Sequence, residues 1–126
     1  MTREQWKRVA KLFQMGEALY IYRTEHKGSL APLQSVGDMK RLLLHYDRDY
    51  IGSFEDRKTH KSFRPNTSLA GLSYNQIKDP DQTIAFYMPE PSPEGRYVVF
   101  VYGDAEPITQ VQWLRLSKNS HIKTRQ

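Results

Sequence analysis

The longest uninterrupted pattern in the chain is helical. From Thr2 to His26 there is no proline, and apolar residues return every three or four positions. Trp6, Val9, Phe13, Gly16 and Tyr20 lie on one stripe, and Leu12, Met15, Leu19 and Tyr22 widen it into a broad apolar face. Thr2 and Gln5 have the spacing of a capping box, and Glu4 sits in the first turn, where the helix dipole favours negative charge. Lys27-Gly28 supplies the stop, with the glycine free to take the left-handed cap. A helix of about 25 residues is roughly 37 Å long, which is long for a chain of 126 residues. The expectation is a spine helix over about residues 2–26, on which the rest packs.

After a connector held by Pro32, Ser35 can cap a second, short helix with Asp38 at its third position and Met39, Leu42, Leu43 and Tyr46 inside. Residues 47–68 show neither helical nor strand periodicity and read as an irregular region, with a short strand near Tyr50 to Phe54. A sheet is expected over about residues 72–108: Leu72 to Ile77, Thr83 to Met88, Arg96 to Tyr102 and Ala105 to Ile108. The run RYVVFVY at Arg96 to Tyr102 is the strongest strand signal in the chain. Asp79-Pro80-Asp81, the proline-rich stretch Pro89 to Gly95, and Gly103-Asp104 mark the turns. Thr109 and Gln112 have capping-box spacing for a short last helix carrying Val111, Trp113, Leu114 and Leu116, and residues 119–126 form a basic, frayed tail. Helices and strands segregate along the chain and the late connections have hairpin length, so the fold class is α+β with an antiparallel sheet.

Length fits a single domain, residues 1–126. Apolar residues make up only 38%, yet eight Tyr, five Phe and two Trp give enough ring surface for a thin core. The absence of cysteine excludes disulfides, thiolate metal sites and a cysteine nucleophile. A net charge of +5 permits an anionic partner without requiring one. No apolar run approaches the roughly 18 residues of a membrane span.

Two segments resemble a known family. Leu12 to Leu33 (LFQMGEALYIYRTEHKGSLAPL) resembles the run that ends the spine helix in type II secretion pseudopilin-like proteins of planctomycete type, with Gln14, Gly16, Ala18, Leu19, Tyr22, Glu25, Gly28, Leu30 and Pro32 at matching places. Thr83 to Leu116 resembles that family's C-terminal hairpin and short helix through Gly95, Tyr97, Val98, Val99, Phe100, Gly103, Glu106 and Ile108. The chain departs from the family run at Tyr102 and Asp104, which stand where an Asp and a His are usual. The resemblance implies a pilin-like fold, a long N-terminal helix on a small antiparallel sheet. It implies a structural, non-enzymatic subunit whose partners are other pilin-like or secretion-system subunits. Gly16, Tyr22, Gly28, Pro32, Gly95, Phe100 and Gly103 would be its structural motif positions. Such a domain is extracytoplasmic where an apolar anchor is encoded upstream of Thr2, and cytoplasmic where the native chain starts at Met1.

Candidate chemistry is sparse. His45, Asp47 and Asp49 alternate as cation ligands on a strand do, but at the end of a helix they form a solvated edge, and Arg48 opposes a cation. The four histidines, His26, His45, His60 and His121, share no ligand or catalytic spacing, and no nucleophile elbow or glycine-rich phosphate loop occurs. No metal, cofactor or catalytic residue is expected. Arg57, Lys58, His60, Lys61 and Arg64, with Phe54 and Phe63 among them, have the basic-aromatic pattern that grips anions or single-stranded nucleic acid, although Glu55 and Asp56 interrupt it. The segment 54–64 therefore offers an alternative function, a protein- or nucleic-acid-binding module.

Overall fold

The computed structural model describes residues 3–30, 34–46 and 63–122, without the side chains of residues 4–9, 11, 39, 43, 44 and 46. Its elements are α1 (Arg3–Glu25), α2 (Val36–Tyr46), β1 (Arg64–Pro65), β2 (Ile84–Tyr87), β3 (Arg96–Phe100), β4 (Ala105–Ile108) and α3 (Gln110–Asn119). Two short 3-10 turns, Thr67–Leu69 and Tyr74–Gln76, lie between β1 and β2. The four strands form an antiparallel sheet in the order β1-β2-β3-β4, which establishes the α+β class. No helix among the described residues is long and apolar enough to cross a membrane.

The sheet is buried on both sides. Leu12, Met15, Ala18 and Leu19 of α1 and Leu42 of α2 pack with Phe86, Tyr97, Val99 and Val101 on one face. Trp113 and Leu116 of α3 pack with Ile84, Val98, Phe100 and Ile108 on the other. This explains the continuous apolar run of β3: a strand covered on both faces has no polar side to display. In β2 the register slips between Ile84 and Phe86, so that two steps on β2 oppose one on β3. The slip turns both Ala85 and Phe86 toward α1 while Ile84 faces α3. Proline in β1 is tolerated because β1 is an edge strand with only β2 beside it.

The expected long spine is not matched. Although α1 runs from Arg3 to Glu25, its described seat on the sheet spans only residues 12–25 and is short. Among the described side chains of α1, the buried ones run from Leu12 to Leu19, with Tyr22 partly buried beyond them. The strands set this limit, because the longest, β3, has five residues. Five extended residues cover roughly 17 Å, the length of about three helical turns. The apolar stripe is also rotated from its expected position. Phe13 and Tyr20 remain 44% and 53% exposed, while Leu12 and Leu19, one residue further round the helix, are buried. The Trp6 and Val9 side chains, and all of Thr2, fall outside the described residues.

The phase of α1 is set by a backbone contact. A Cβ at Gly16 would lie 2.0 Å from the Gly103 carbonyl oxygen, so helix and β3–β4 turn touch where neither carries a side chain. Gly103 also needs its freedom, with φ of 123°. Beyond this contact Arg23 donates to the Val101 carbonyl at 3.1 Å, and its guanidinium lies over the Tyr74 ring at 3.9 Å and the Tyr20 ring at 4.9 Å. The helix ends with Gly28 N donating to Arg23 O at 2.7 Å; Gly28 takes the left-handed backbone expected of it, φ 87°, and Lys27 before it does so too, φ 55°. His26 caps the last turn through an Nδ1–H donated to Tyr22 O at 2.8 Å, with its ring stacked on Tyr22.

Two further expectations need correction. Leu72 to Ile77 is not a strand of the sheet. Gln76 Oε1 accepts from Ser73 N at 2.8 Å and closes a 3-10 turn, while the segment pairs only with the end of α1, through Leu30 N to Leu72 O and Tyr74 N to Gly28 O. The tail is not frayed where it begins, since Ser120 is buried as the C-cap of α3 and Ile122 packs on its core. The short last helix forms as expected, with Val111 and Leu114 facing solvent and Trp113, Leu116 and Ser117 buried. The caps at Ser35, accepting from Asp38 N at 3.1 Å, and Thr109, accepting from Gln112 N at 3.1 Å, match expectation.

Gly16→Ala is expected to destabilise the fold by about 3 kcal/mol or more, because neither backbone can move aside as a rotamer would. Gly37→Ala in α2, where the nearest atom to a new Cβ is Ser35 Oγ at 3.5 Å, should stabilise by about 0.5 kcal/mol. Urea unfolding of the two variants checks the opposite signs, read as midpoint shifts at unchanged slope.

Candidate functional site

An opening lies at the β1 edge of the sheet. It is a cleft of about 500 Å³ bounded by Gln34, Ser35 and Val36 before and at the start of α2, by residues 64–68, by Tyr87, and by His121 and Ile122 after α3. Three chain segments far apart in sequence meet here, and one residue ties two of them together. Asn66 is 2% exposed and uses all of its hydrogen-bonding capacity. Its Nδ2 donates to Ile84 O at 2.9 Å and to Ser120 O at 2.8 Å. Its Oδ1 accepts from Ser68 N at 3.2 Å and Ser68 Oγ at 2.7 Å. Ser120, 1% exposed, answers through its Oγ, which accepts from Ile84 N at 2.9 Å. These bonds fasten the loop after β1, the start of β2 and the end of α3 to one another.

The walls combine apolar and polar groups. Arg64 and Tyr87 are directly opposed across β1 and β2. The Tyr87 ring meets Trp113 at 5.4 Å between centroids, and the Arg96 guanidinium lies over Trp113 at 4.2 Å while donating to Met88 O at 2.9 Å. Burial pushes the Tyr87 phenol above its ordinary range, with Arg64 and Arg96 pulling in the opposite direction. Burial lowers the Arg96 pKa, and Tyr87 and Glu90 oppose that shift. The Arg96 Nε is buried with no hydrogen-bond partner among the described residues.

Of the proposed anion-binding residues, Arg64 alone is described; it is exposed at the mouth of this cleft, and Arg57, Lys58, His60 and Lys61 lie outside the described residues. Phe63 is no stacking platform, because it is buried in the α1-side core. Asp47 and Asp49 also lie outside the described residues, and His45 is exposed at the end of α2. Among the described residues no three His, Asp or Glu converge as metal ligands would. The family-motif positions fare differently. Gly16 and Gly103 meet; Gly28 O accepts from Tyr74 N; Gly95, φ 120°, closes against the Ile108 carbonyl; Tyr22 is half-buried; Phe100 is buried on the α3 side; Pro32 lies outside the described residues. Asn66, Ser120, Arg23 and His121 went unread as site or anchoring residues. A Pro-Asn-Thr-Ser run signals a turn, but nothing local identifies the partner of Asn66 at position 120.

No protein-family model, curated protein or solved structure matches this chain.

Asn66→Ala is expected to cost about 3 kcal/mol, since it leaves the buried Ile84 and Ser120 carbonyls short of donors. Thermal unfolding should show a midpoint roughly 10 °C lower, whereas Thr67→Ala, on an exposed neighbour, should leave it within about 2 °C.

Proposed function

We propose that this chain is a non-enzymatic assembly subunit of pseudopilin-like character, in which α1 joins the domain to a second copy or a related subunit. The observation that supports this reading most is the contact between Gly16 and Gly103. Each belongs to one of the two separate segments that resemble the family, and together they seat the helix on the sheet. Arg23, in the first segment, donates to Val101, in the second, and reinforces the same joint. Phe13 and Tyr20, seven positions apart on α1, are then left as large exposed rings on one side of a helix whose other side is buried. A helix facing helices of neighbouring subunits has a use for such rings.

The chain contains no cysteine, so single thiols report the contact cleanly. Under mild oxidation Tyr20→Cys should give disulfide-linked dimers in a concentration-dependent manner, while Glu106→Cys on β4 should stay monomeric on a non-reducing gel. Equal linkage at both positions, or a Tyr20→Cys chain monomeric at every concentration, removes the assembly reading.

A further inference from the structure

The cleft at the β1 edge has a chemistry that helix-mediated assembly does not use. Its volume, about 500 Å³, lies in the range of small-molecule sites. None of its lining residues is Asp or Glu. Two of its residues belong to the basic stretches of the sequence: Arg64 ends residues 57–64 and His121 stands near the start of residues 119–126. The Asn66–Ser120 bonds bring these two distant stretches to one opening.

The donors divide into committed and available groups. Ser68 Oγ shares its single proton between Asn66 Oδ1 at 2.7 Å and Ser120 O at 3.0 Å, and both Asn66 amide hydrogens are engaged. The side chains of Arg64, Thr67, Tyr87 and His121 make no hydrogen bond to another described residue and line the opening. The start of α2 adds little charge of its own, because the Asp38 carboxylate accepts from Gln34 N at 3.1 Å and pairs with Arg41. The positive character therefore comes from Arg64 at the mouth, with Arg96 close enough to Tyr87 that both arginines pull its pKa down against burial, and Glu90 near Arg96. A guanidinium fork beside hydroxyl and imidazole donors suits an oxyanion, which Arg binds with two parallel bonds. Beside these donors Val36, Pro65 and Ile122 offer apolar surface.

We propose that this cleft binds a small organic oxyanion, a phosphate ester or carboxylate joined to an apolar body, with Arg64, Thr67 and His121 on the anion and Val36, Pro65 and Ile122 against the body. Tyr87 provides a further donor at the floor between them. The site is independent of the assembly reading, since it lies on the β1 edge and shares no residue with the exposed side of α1.

Amide NMR of the full chain tests it with phenyl phosphate, benzoate, inorganic phosphate and phenol as probes. Phenyl phosphate or benzoate should give saturable shifts centred on Val36, Arg64, Thr67 and His121. Inorganic phosphate, lacking the body, should bind about tenfold more weakly and phenol, lacking the charge, should not saturate. Arg64→Gln, at an exposed position, should weaken the anion about tenfold with an unchanged spectrum elsewhere. His121→Asn, which keeps a residue tolerant of the left-handed backbone found there, φ 59°, should weaken it as well. The proposal is overturned if neither organic anion saturates, or if the shifts scatter over the basic surface and ignore Arg64→Gln. Tighter, steeply salt-dependent shifting of the same amides by a single-stranded oligonucleotide also overturns it, and assigns the surface to nucleic acid.

Discussion

Everything on the first face of the sheet depends on two backbones meeting at Gly16 and Gly103. With no side chain on either, α1 comes close enough for Met15 and Leu19 to reach full burial. Burying a side chain of that size contributes about 2 kcal/mol, so the close approach decides several such terms at once. It also selects which side of a broad apolar helix faces inward. Once Gly16 is the contact, Phe13 and Tyr20 turn outward and Arg23 comes within reach of Val101. A slightly different rotation would bury the two rings and lose both the seat and the Arg23 bond.

The second face is governed by hydrogen bonding. α3 rests on the sheet through Trp113 and Leu116, but its end is located by Ser120, whose backbone and hydroxyl are bound by Asn66, Ser68 and Ile84. A polar group buried this deeply is stabilising only when fully satisfied, and Asn66 meets that condition. The loop after β1 is thereby held rigidly against the end of α3, and the cleft between them keeps its shape without a lining of regular structure.

The two functional readings follow from these two joints. Gly16 and Gly103 leave α1 with one buried and one exposed side, and the proposed assembly would use the exposed one. Asn66 and Ser120 gather Arg64 and His121 at one opening with Thr67 and Tyr87 between them, the geometry of an anion site. Their surfaces do not overlap, so both can operate in one molecule.

Much of the local structure was legible in the residues themselves. The presence of α1 and its stop, the caps at Ser35 and Thr109, the strand at Arg96 to Phe100 and the turns at Asp79 and Gly103 all depend on interactions spanning a few positions. Capping, backbone freedom and strand preference act over that range, so sequence alone determined them, together with the α+β class. Which side of α1 is buried, why Leu72 to Ile77 turns instead of joining the sheet, why Ser120 is fixed and not frayed, and where Arg64 points were decided only by tertiary structure. The first three depend on a partner dozens of positions away: Gly103 for Gly16, Leu72 for Leu30, Asn66 for Ser120. Periodicity marks a residue as apolar or polar but carries no record of what it will meet, because that depends on the path of the whole chain.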